Sequence, residues 1–303
     1  IYYYRKIFLK DTDKIKKIDK KMLEQCSKNI EKLRNKCPLT HCITNYVTIN
    51  DCANVVLAIG GSPAMANEAP EIEEFVEAAG VTIINMGTLL EDQIEPMQIA
   101  ACHTKKTNTP LVLDPVAVGV SKLRNDITID LINKSSVDVI RGNMSEIKAI
   151  ANLFNITDEK SVAKGVDVSS DDIITKDNIK SNASLVKAVA DKLNTTIAVS
   201  GAIDIISDGV SIYLIDNGEE VMSKITGSGC MLTCVIGSFC AITSPLEAAI
   251  IGSLSMAISG ELARRKMEIN NEGSGSFRTY LIDMMYNMND ETIMKYGKLY
   301  KLE

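Results

Sequence analysis

Along the chain, apolar and polar positions alternate between two rhythms. Short β-branched runs occur at VTIINM (81–86), PLVLDPVAV (110–118), VDVIRGN (137–143) and TTIAVSG (195–201), and longer stretches with helical spacing separate them. Apolar runs of this length suit strands buried on both faces, and their alternation with helices predicts βαβ units in a mainly parallel sheet. The rhythm then changes. From Asp204 to Ser223, DIISDGVSIYLIDNGEEVMS places three short strand candidates around the turn pairs Asp208-Gly209 and Asn217-Gly218. An antiparallel meander is therefore expected on one edge of the sheet. Beyond it the spacing predicts helices over 230–242, over 246–267 behind Pro245, and from about Phe277 to Asn289. The fold class is α/β: a mainly parallel central sheet with antiparallel edge strands and helices on both faces.

Two stretches keep neither rhythm cleanly. Lysines crowd KDTDKIKKIDKKMLEQCSKNIEKLRNKC, Lys10 to Cys37, so residues 1–36 read as a lysine-rich helical extension with a solvated face. VSSDDIITKDNIKSNA, at 168–183, lacks both periods and reads as a polar surface insertion without chemistry of its own. No repeat and no Pro/Gly-rich linker divides the rest, and residues 37–303 are read as one domain.

Composition narrows the function classes. Of 303 residues, 46% are hydrophobic and 24% charged, as in soluble globular proteins. A net charge of −6 argues against a nucleic-acid binder, which needs a basic face. Eight cysteines form no CxxC pair, and only His41 and His103 could join them as zinc ligands. A reducing compartment, the cytoplasm, is expected, without disulfides. IYYYRKIFLK has no sustained apolar run to suggest a secretory signal. The apolar run from Cys230 to Ile242 is shorter than the ~20 residues of a membrane span, so no membrane association is expected.

In an open parallel sheet, ligands bind beyond the carboxyl ends of the strands. Asp114, Arg141 and Ser200 stand where strands are predicted to stop, and Glu146 follows in the next helix's first turn. The segment ITGSGCMLTC (225–234) leads two glycines and two hydroxyl residues into an apolar helix. The backbone N–H groups of Gly227, Ser228, Gly229 and Cys230 there form a candidate anion hole. Two carboxylates, an arginine and a helix N-terminus suit a magnesium nucleotide. Asn45 and Met65, in the N-terminal third, could wall a pocket: an amide that donates and accepts, and a thioether that packs on a ring. Neither a P-loop nor a dinucleotide fingerprint is present.

The strings HCITNYVTIN, GGSPAMA, NMGTL, LDPVAVG, VIRGNMSEI, AVSGAID, ITGSGCML and GSGSF occur in this order. Together they resemble the hydroxyethylthiazole kinases of the ribokinase-like superfamily, over about residues 37 to 290. The resemblance implies ATP-dependent phosphorylation of the primary alcohol of 5-(2-hydroxyethyl)-4-methylthiazole in thiamine salvage. It implies that Met65 and Gly227 bind the thiazole with Asn45 beside them, that Arg141 and Ser200 bind ATP, and that Asp114 and Glu146 serve Mg²⁺. It places Cys230 against the reacting hydroxyl, and it implies a homotrimer with active sites at subunit interfaces. Ser228 and Ser200 depart from the residues usual in the family, Ala or Thr and Thr respectively.

A thiol at Cys230 is unusual where a kinase base would be a carboxylate. At a helix N-terminus its pKa is expected to fall, leaving some thiolate at neutral pH as a weak base and positioner of the hydroxyl. A loose phosphoryl-transfer transition state needs little more. Two alternatives stay open at this stage: another ribokinase-like vitamin kinase, such as a hydroxymethylpyrimidine kinase, or a non-catalytic thiazole or nucleotide sensor.

Overall fold

A computed structural model describes residues 18–156, 174–175 and 177–303. Helices α1 (Lys20–Ser27) and α2 (Asn29–Lys36) lead into strand β1 (Leu39–Ile43). Helix α3 (Ile49–Ile59) connects to β2 (Ser62–Ala64), and α4 (Ile72–Ala78) to β3 (Val81–Asn85). The alternation continues through α5 (Glu91–Thr107), β4 (Leu111–Asp114), α6 (Lys122–Lys134), β5 (Val139–Asn143), α7 (Met144–Leu153), α8 (Ile179–Leu193) and β6 (Thr196–Ser200). Strands β7 (Asp204–Ser207) and β8 (Ile212–Ile215) follow. Then come four helices, α9 (Ser228–Cys240), α10 (Pro245–Ile269), α11 (Ser274–Tyr286) and α12 (Asp290–Tyr296), and a last strand β9 (Leu299–Leu302).

The nine strands of the described residues form one sheet in the order β2-β1-β3-β4-β5-β6-β7-β8-β9. Pairings from β2 to β6 are parallel, and those from β6 to β9 are antiparallel. Period-two alternation splits the apolar side chains between two cores. Ile83, Val112, Val139, Ala198 and Ile206 face one, with α3, α9, α10 and α11; Ile84, Leu113, Ile140, Val199 and Ile205 face the other, with α5 to α8. Helices thus cover both faces, and the central strands β3 and β4 are buried at every position, which is why they read as near-continuous apolar runs, whereas the edge strand β2 is only half-buried. Helix α10 is long and apolar enough to cross a membrane, yet 83% of its most apolar window is buried in the protein's own core.

Several expectations need correction. The third strand candidate of the meander is a 3₁₀ turn at Glu220–Lys224, and the third antiparallel strand is β9 from the chain end. The helix expected from about Phe277 to Asn289 is α11, Ser274–Tyr286, and it is not the last: Asn289 starts the unpredicted α12 by accepting from the Thr292 N–H at 2.8 Å. The predicted insertion over 168–183 partly overlaps α8, where Ile179 and Ala183 begin a buried stripe with Val186 and Ala190. Its residues 168–173 and 176 lie outside the described residues.

Residues 1–17 of the lysine-rich start also lie outside them. The remainder is two helices, divided where the Ser27 hydroxyl donates to the Glu24 carbonyl at 3.0 Å. They rest on the core through Leu23, Cys26, Ile30 and Leu33. Their lysines are partly engaged: Lys36 Nζ donates to the Ala241 carbonyl at 3.0 Å, at the negative end of α9.

Candidate active site at the carboxyl ends of the strands

The site is built around the N-terminus of α9. Gly227 precedes the helix with φ of +78°, and a Cβ there would lie 2.3 Å from Thr48 Cγ2, so both backbone conformation and space demand glycine. No side chain caps this helix, and its first turn holds no acidic residue. The N–H groups of Ser228, Gly229 and Cys230 belong to the first turn, which has no intrahelical acceptors to offer them. Gly229 has a different reason to be small. A Cβ there would sit 2.5 Å from a terminal nitrogen of Arg141, because the guanidinium lies directly against the helix start.

From that guanidinium a continuous polar chain crosses the strand ends. Arg141, on β5, donates to Ser200 Oγ at the end of β6 and pairs with Asp114 Oδ2 at 3.4 Å. Asp114 ends β4, is fully buried, and its Oδ2 also accepts from Thr233 Oγ1 at 2.6 Å and Asn85 Nδ2 at 2.8 Å. Asn85 ends β3. Its Oδ1 accepts from Asn45 Nδ2 at 3.0 Å, and Asn45 Nδ2 also donates to Cys230 Sγ at 3.4 Å. The sequence-derived residues Asn45, Asp114, Arg141, Ser200 and Cys230 thus converge. Met65, just beyond β2, is partly buried against the same core as Cys230.

Within this network of strand-end side chains two buried polar atoms have no partner: Asp114 Oδ1, an acceptor, and Arg141 Nε, a donor. Unpaired polar atoms at such depth are costly, and an acceptor beside a donor is what a metal-bound or solvated phosphate would satisfy. Glu146 is placed differently. It sits at the third position of α7 in a capping box with Asn143, its Oε2 accepting the Asn143 N–H at 2.8 Å. Its Oε1 accepts the Ala117 N–H at 2.9 Å, in a turn where Ala117 has φ of +61°. Burial first, then the neighbouring Asp114 charge, push the Glu146 carboxyl up to about 7. Burial likewise raises Asp114, against the opposing pull of Arg141 and its hydrogen bonds.

The same electrostatics overturn one expectation. Cys230 does not carry a depressed pKa: burial, followed by the Asp114 carboxylate, pushes its thiol up to about 11. The helix N-terminus, whose influence on an exposed group is worth less than ~1 kcal/mol, is outweighed. Cys230 is therefore a neutral thiol at physiological pH in the ligand-free chain. All eight cysteines are free.

Sequence reasoning missed Asn85, Thr233, Thr48 and Arg124. Asn85 ends a strand as Asp114 does, so the same rule could have found it. Thr233 lies one turn after Cys230 and Gly229 on the same helix, a spacing that shares a face. Thr48 gives Asn45 Oδ1 both its N–H, at 3.2 Å, and its hydroxyl, at 3.1 Å. Arg124 donates to the Met86, Gly87 and Val116 carbonyls, tying together the turns after β3 and β4; no local pattern marks it.

Comparison with known proteins agrees with this architecture. Residues 30–291 match the model of the hydroxyethylthiazole kinase family. The chain is 55% identical over 280 residues to hydroxyethylthiazole kinase 1 of Methanosphaera stadtmanae, covering 92% of this chain and 98% of that one. It is 49% identical to hydroxyethylthiazole kinase of Methanobrevibacter smithii, covering 90% and 96%. Among solved structures, the hydroxyethylthiazole kinase protein from Pyrococcus horikoshii OT3 aligns with a TM-score of 0.81 and 32% identity over 92% of this chain and all of that one. Pyridoxal kinase from Staphylococcus aureus in complex with ADP, 15% identical with a TM-score of 0.51 over 73% of this chain and 86% of that one, shares the fold alone. That fold is ribokinase-like, as the motifs implied. By the family match, by its identity to these relatives and by the strand-end motifs that carry the site, the chain is a member of the hydroxyethylthiazole kinase family.

Proposed function

We propose that the protein transfers the γ-phosphoryl group of ATP to the primary alcohol of 5-(2-hydroxyethyl)-4-methylthiazole, a step of thiamine salvage in the cytoplasm. The observation that carries this reading is the uncapped N-terminus of α9, with Arg141 against it and Cys230 in its first turn. Three backbone N–H groups and a guanidinium converge there without a carboxylate in the first turn to neutralise them, an arrangement suited to a phosphoryl group gaining charge. Arg141 and Ser200 hold the nucleotide phosphates. Asn45, Met65 and Gly227 receive the thiazole.

Phosphoryl transfer needs a divalent cation to offset phosphate charge, and Mg²⁺ supplies that when bound. The residues fit it. Asp114 keeps an unpartnered buried oxygen, and the Asp114 charge adds to burial in raising the proton affinity of Glu146, a repulsion that a cation relieves. Among the described residues no three metal-ligating side chains gather, which suits an ion that keeps most of its waters and takes few protein ligands. Cys230, as a neutral thiol, positions the alcohol and is not the base. In a loose transition state the alcohol keeps its proton until late, so positioning and the N–H groups carry the catalysis.

The working form is a homotrimer whose sites lie between subunits. Tyr46 and Val47, 51% and 63% exposed next to buried Asn45, support this as the place where a neighbouring copy completes the pocket. Sedimentation at assay concentration tests it, and a fully active monomer would overturn it. The substrate is tested by ADP release: release should require the thiazole alcohol and should not occur with a hydroxymethylpyrimidine in its place. Binding of both ligands without turnover would make the protein a sensor.

A further inference from the structure

Between the two halves of the site stands a residue without a role in the reading above. We infer that Asn85 is a positioning residue that, together with the Thr48 N–H, fixes the hydrogen-bond polarity of the substrate side, its Oδ1 aiming the Asn45 amide so that an N–H faces Cys230 Sγ. The inference follows from which atoms can donate. Asp114 Oδ2 already takes bonds from Thr233 and Arg141, and it meets the Asn85 side chain at 2.8 Å. A carboxylate oxygen in that position accepts, so the Asn85 atom facing it is Nδ2. The other end of the amide confirms the orientation, since the Gly87 N–H, which can only donate, points at Asn85 Oδ1 at 2.9 Å.

With Oδ1 thus turned toward Asn45, Asn45 must answer with its own N–H, at 3.0 Å. A second backbone donor agrees: the Thr48 N–H reaches Asn45 Oδ1 at 3.2 Å. Asn45 Nδ2 therefore faces Cys230 Sγ at 3.4 Å, and the sulfur is an acceptor on that side. Its S–H hydrogen points elsewhere. Thr48 is ordered by the same logic. Its hydroxyl hydrogen goes to Asn45 Oδ1, leaving its oxygen to accept from Cys52 Sγ at 3.7 Å. Every orientation from Asp114 to Cys230 is thus set by one acceptor and two backbone donors, and Asn85 is the side chain that joins Asp114 to Asn45. Space confirms the fit, because a Cβ on Gly87 would come within 2.4 Å of Asn45 Nδ2.

Asn85→Leu, of similar volume, tests this with two readouts. The first is independent of the reaction: the rate at which iodoacetamide labels Cys230 in the full chain, followed by peptide mass spectrometry with exposed Cys37 as the internal reference. Without the Asn85 acceptor the Asn45 amide is held by Thr48 alone and its N–H is no longer aimed at sulfur, so Cys230 labelling should slow by about two- to tenfold, the net worth of one hydrogen bond, while Cys37 is unchanged. Unchanged or faster labelling of Cys230 overturns the inference. The second readout rests on the proposed kinase reaction. In a double-mutant cycle with Cys230→Ala, the fall in kcat caused by Asn85→Leu should largely vanish when the thiol is already gone. A fall of equal size in both backgrounds would mean that Asn85 is merely structural. Circular dichroism melting checks each variant, and if Asn85→Leu does not fold, Asn85→Ser enters both measurements with the same expected outcomes. A parent protein without turnover defeats the proposed reaction, whereas the labelling arm still decides the role of Asn85.

Discussion

Replacing Gly229 by Ala separates stability from function at one atom. The added Cβ would stand 2.5, 2.9 and 3.0 Å from the two terminal nitrogens and central carbon of the Arg141 guanidinium. Ordinary contact begins near 3.4 Å, so the guanidinium must withdraw by roughly 1 Å, beyond the tolerance of a well-aligned hydrogen bond. The fold has little reason to object, because the obstructed atoms are the flexible end of a side chain and Gly229 has no positive φ. Alanine is also the better helix former, by up to ~1 kcal/mol. The melting temperature is therefore expected to stay level or rise by about 2 °C. Withdrawal of Arg141 loosens its bond to Ser200 and its pair with Asp114 and, in the proposed placement of the nucleotide, takes a charged donor from its phosphates. A hydrogen bond to a charged group is worth about 1.5–3 kcal/mol, so kcat/KM for ATP should fall about ten- to a hundredfold. KM for the thiazole alcohol should change far less. Initial rates of ADP release over a grid of both substrates, with a thermal melt of the same sample, measure all three quantities. An ATP dependence equal to that of the parent would refute the placement of the nucleotide at Arg141; a melt lowered by 5 °C or more would refute the claim that the glycine serves function rather than fold.

Asp114→Asn should fold normally, since an amide oxygen can replace Oδ2 as acceptor, and should lose activity that raised Mg²⁺ partly restores; a variant unfolded by circular dichroism would make the residue structural. Cys230→Ala should lower kcat by less than the ~10²-fold minimum typical of losing a general base, and should leave the pH profile between 6 and 9 unmoved, because a thiol near 11 stays protonated throughout. Glu146 binds its proton more tightly folded than unfolded, from 4.5 up to about 7, so its contribution is full below pH 4.5 and is lost as pH rises through 7. Ligand-free stability measured in urea should decline across that window by on the order of 3 kcal/mol, less in Glu146→Gln, and Mg²⁺ at pH 8 should recover part of it.

Much of this was legible in the sequence because strand ends are conspicuous where strands are. The runs before Asp114, Arg141 and Ser200 are long and β-branched, and the charged or hydroxyl residue that ends each one stands out. Asn85 closes an equally clear run but carries no charge, and Thr233 sits inside an apolar helix, so neither announces itself. The strand LYKL is too short for its alternation to show, and only its pairing with β8 makes it a strand. For Cys230 the sequence displays the helix N-terminus, which lowers a thiol's pKa, and hides the burial and the Asp114 charge, which raise it. A local cue was visible and the stronger non-local one was not. The catalytic family itself was legible because eight short motifs keep their order across nearly the whole chain.

The most direct measurement is ³¹P NMR of the purified protein with Mg²⁺, ATP and 5-(2-hydroxyethyl)-4-methylthiazole, following ADP and phosphate esters together. One phosphate monoester of the alcohol should form for each ADP, with no accumulation of inorganic phosphate and no turnover when the alcohol is omitted. ADP formed with inorganic phosphate and no ester, or no ADP from a folded protein that binds both ligands, would contradict the assignment of the α9 N-terminus as a phosphoryl-transfer site.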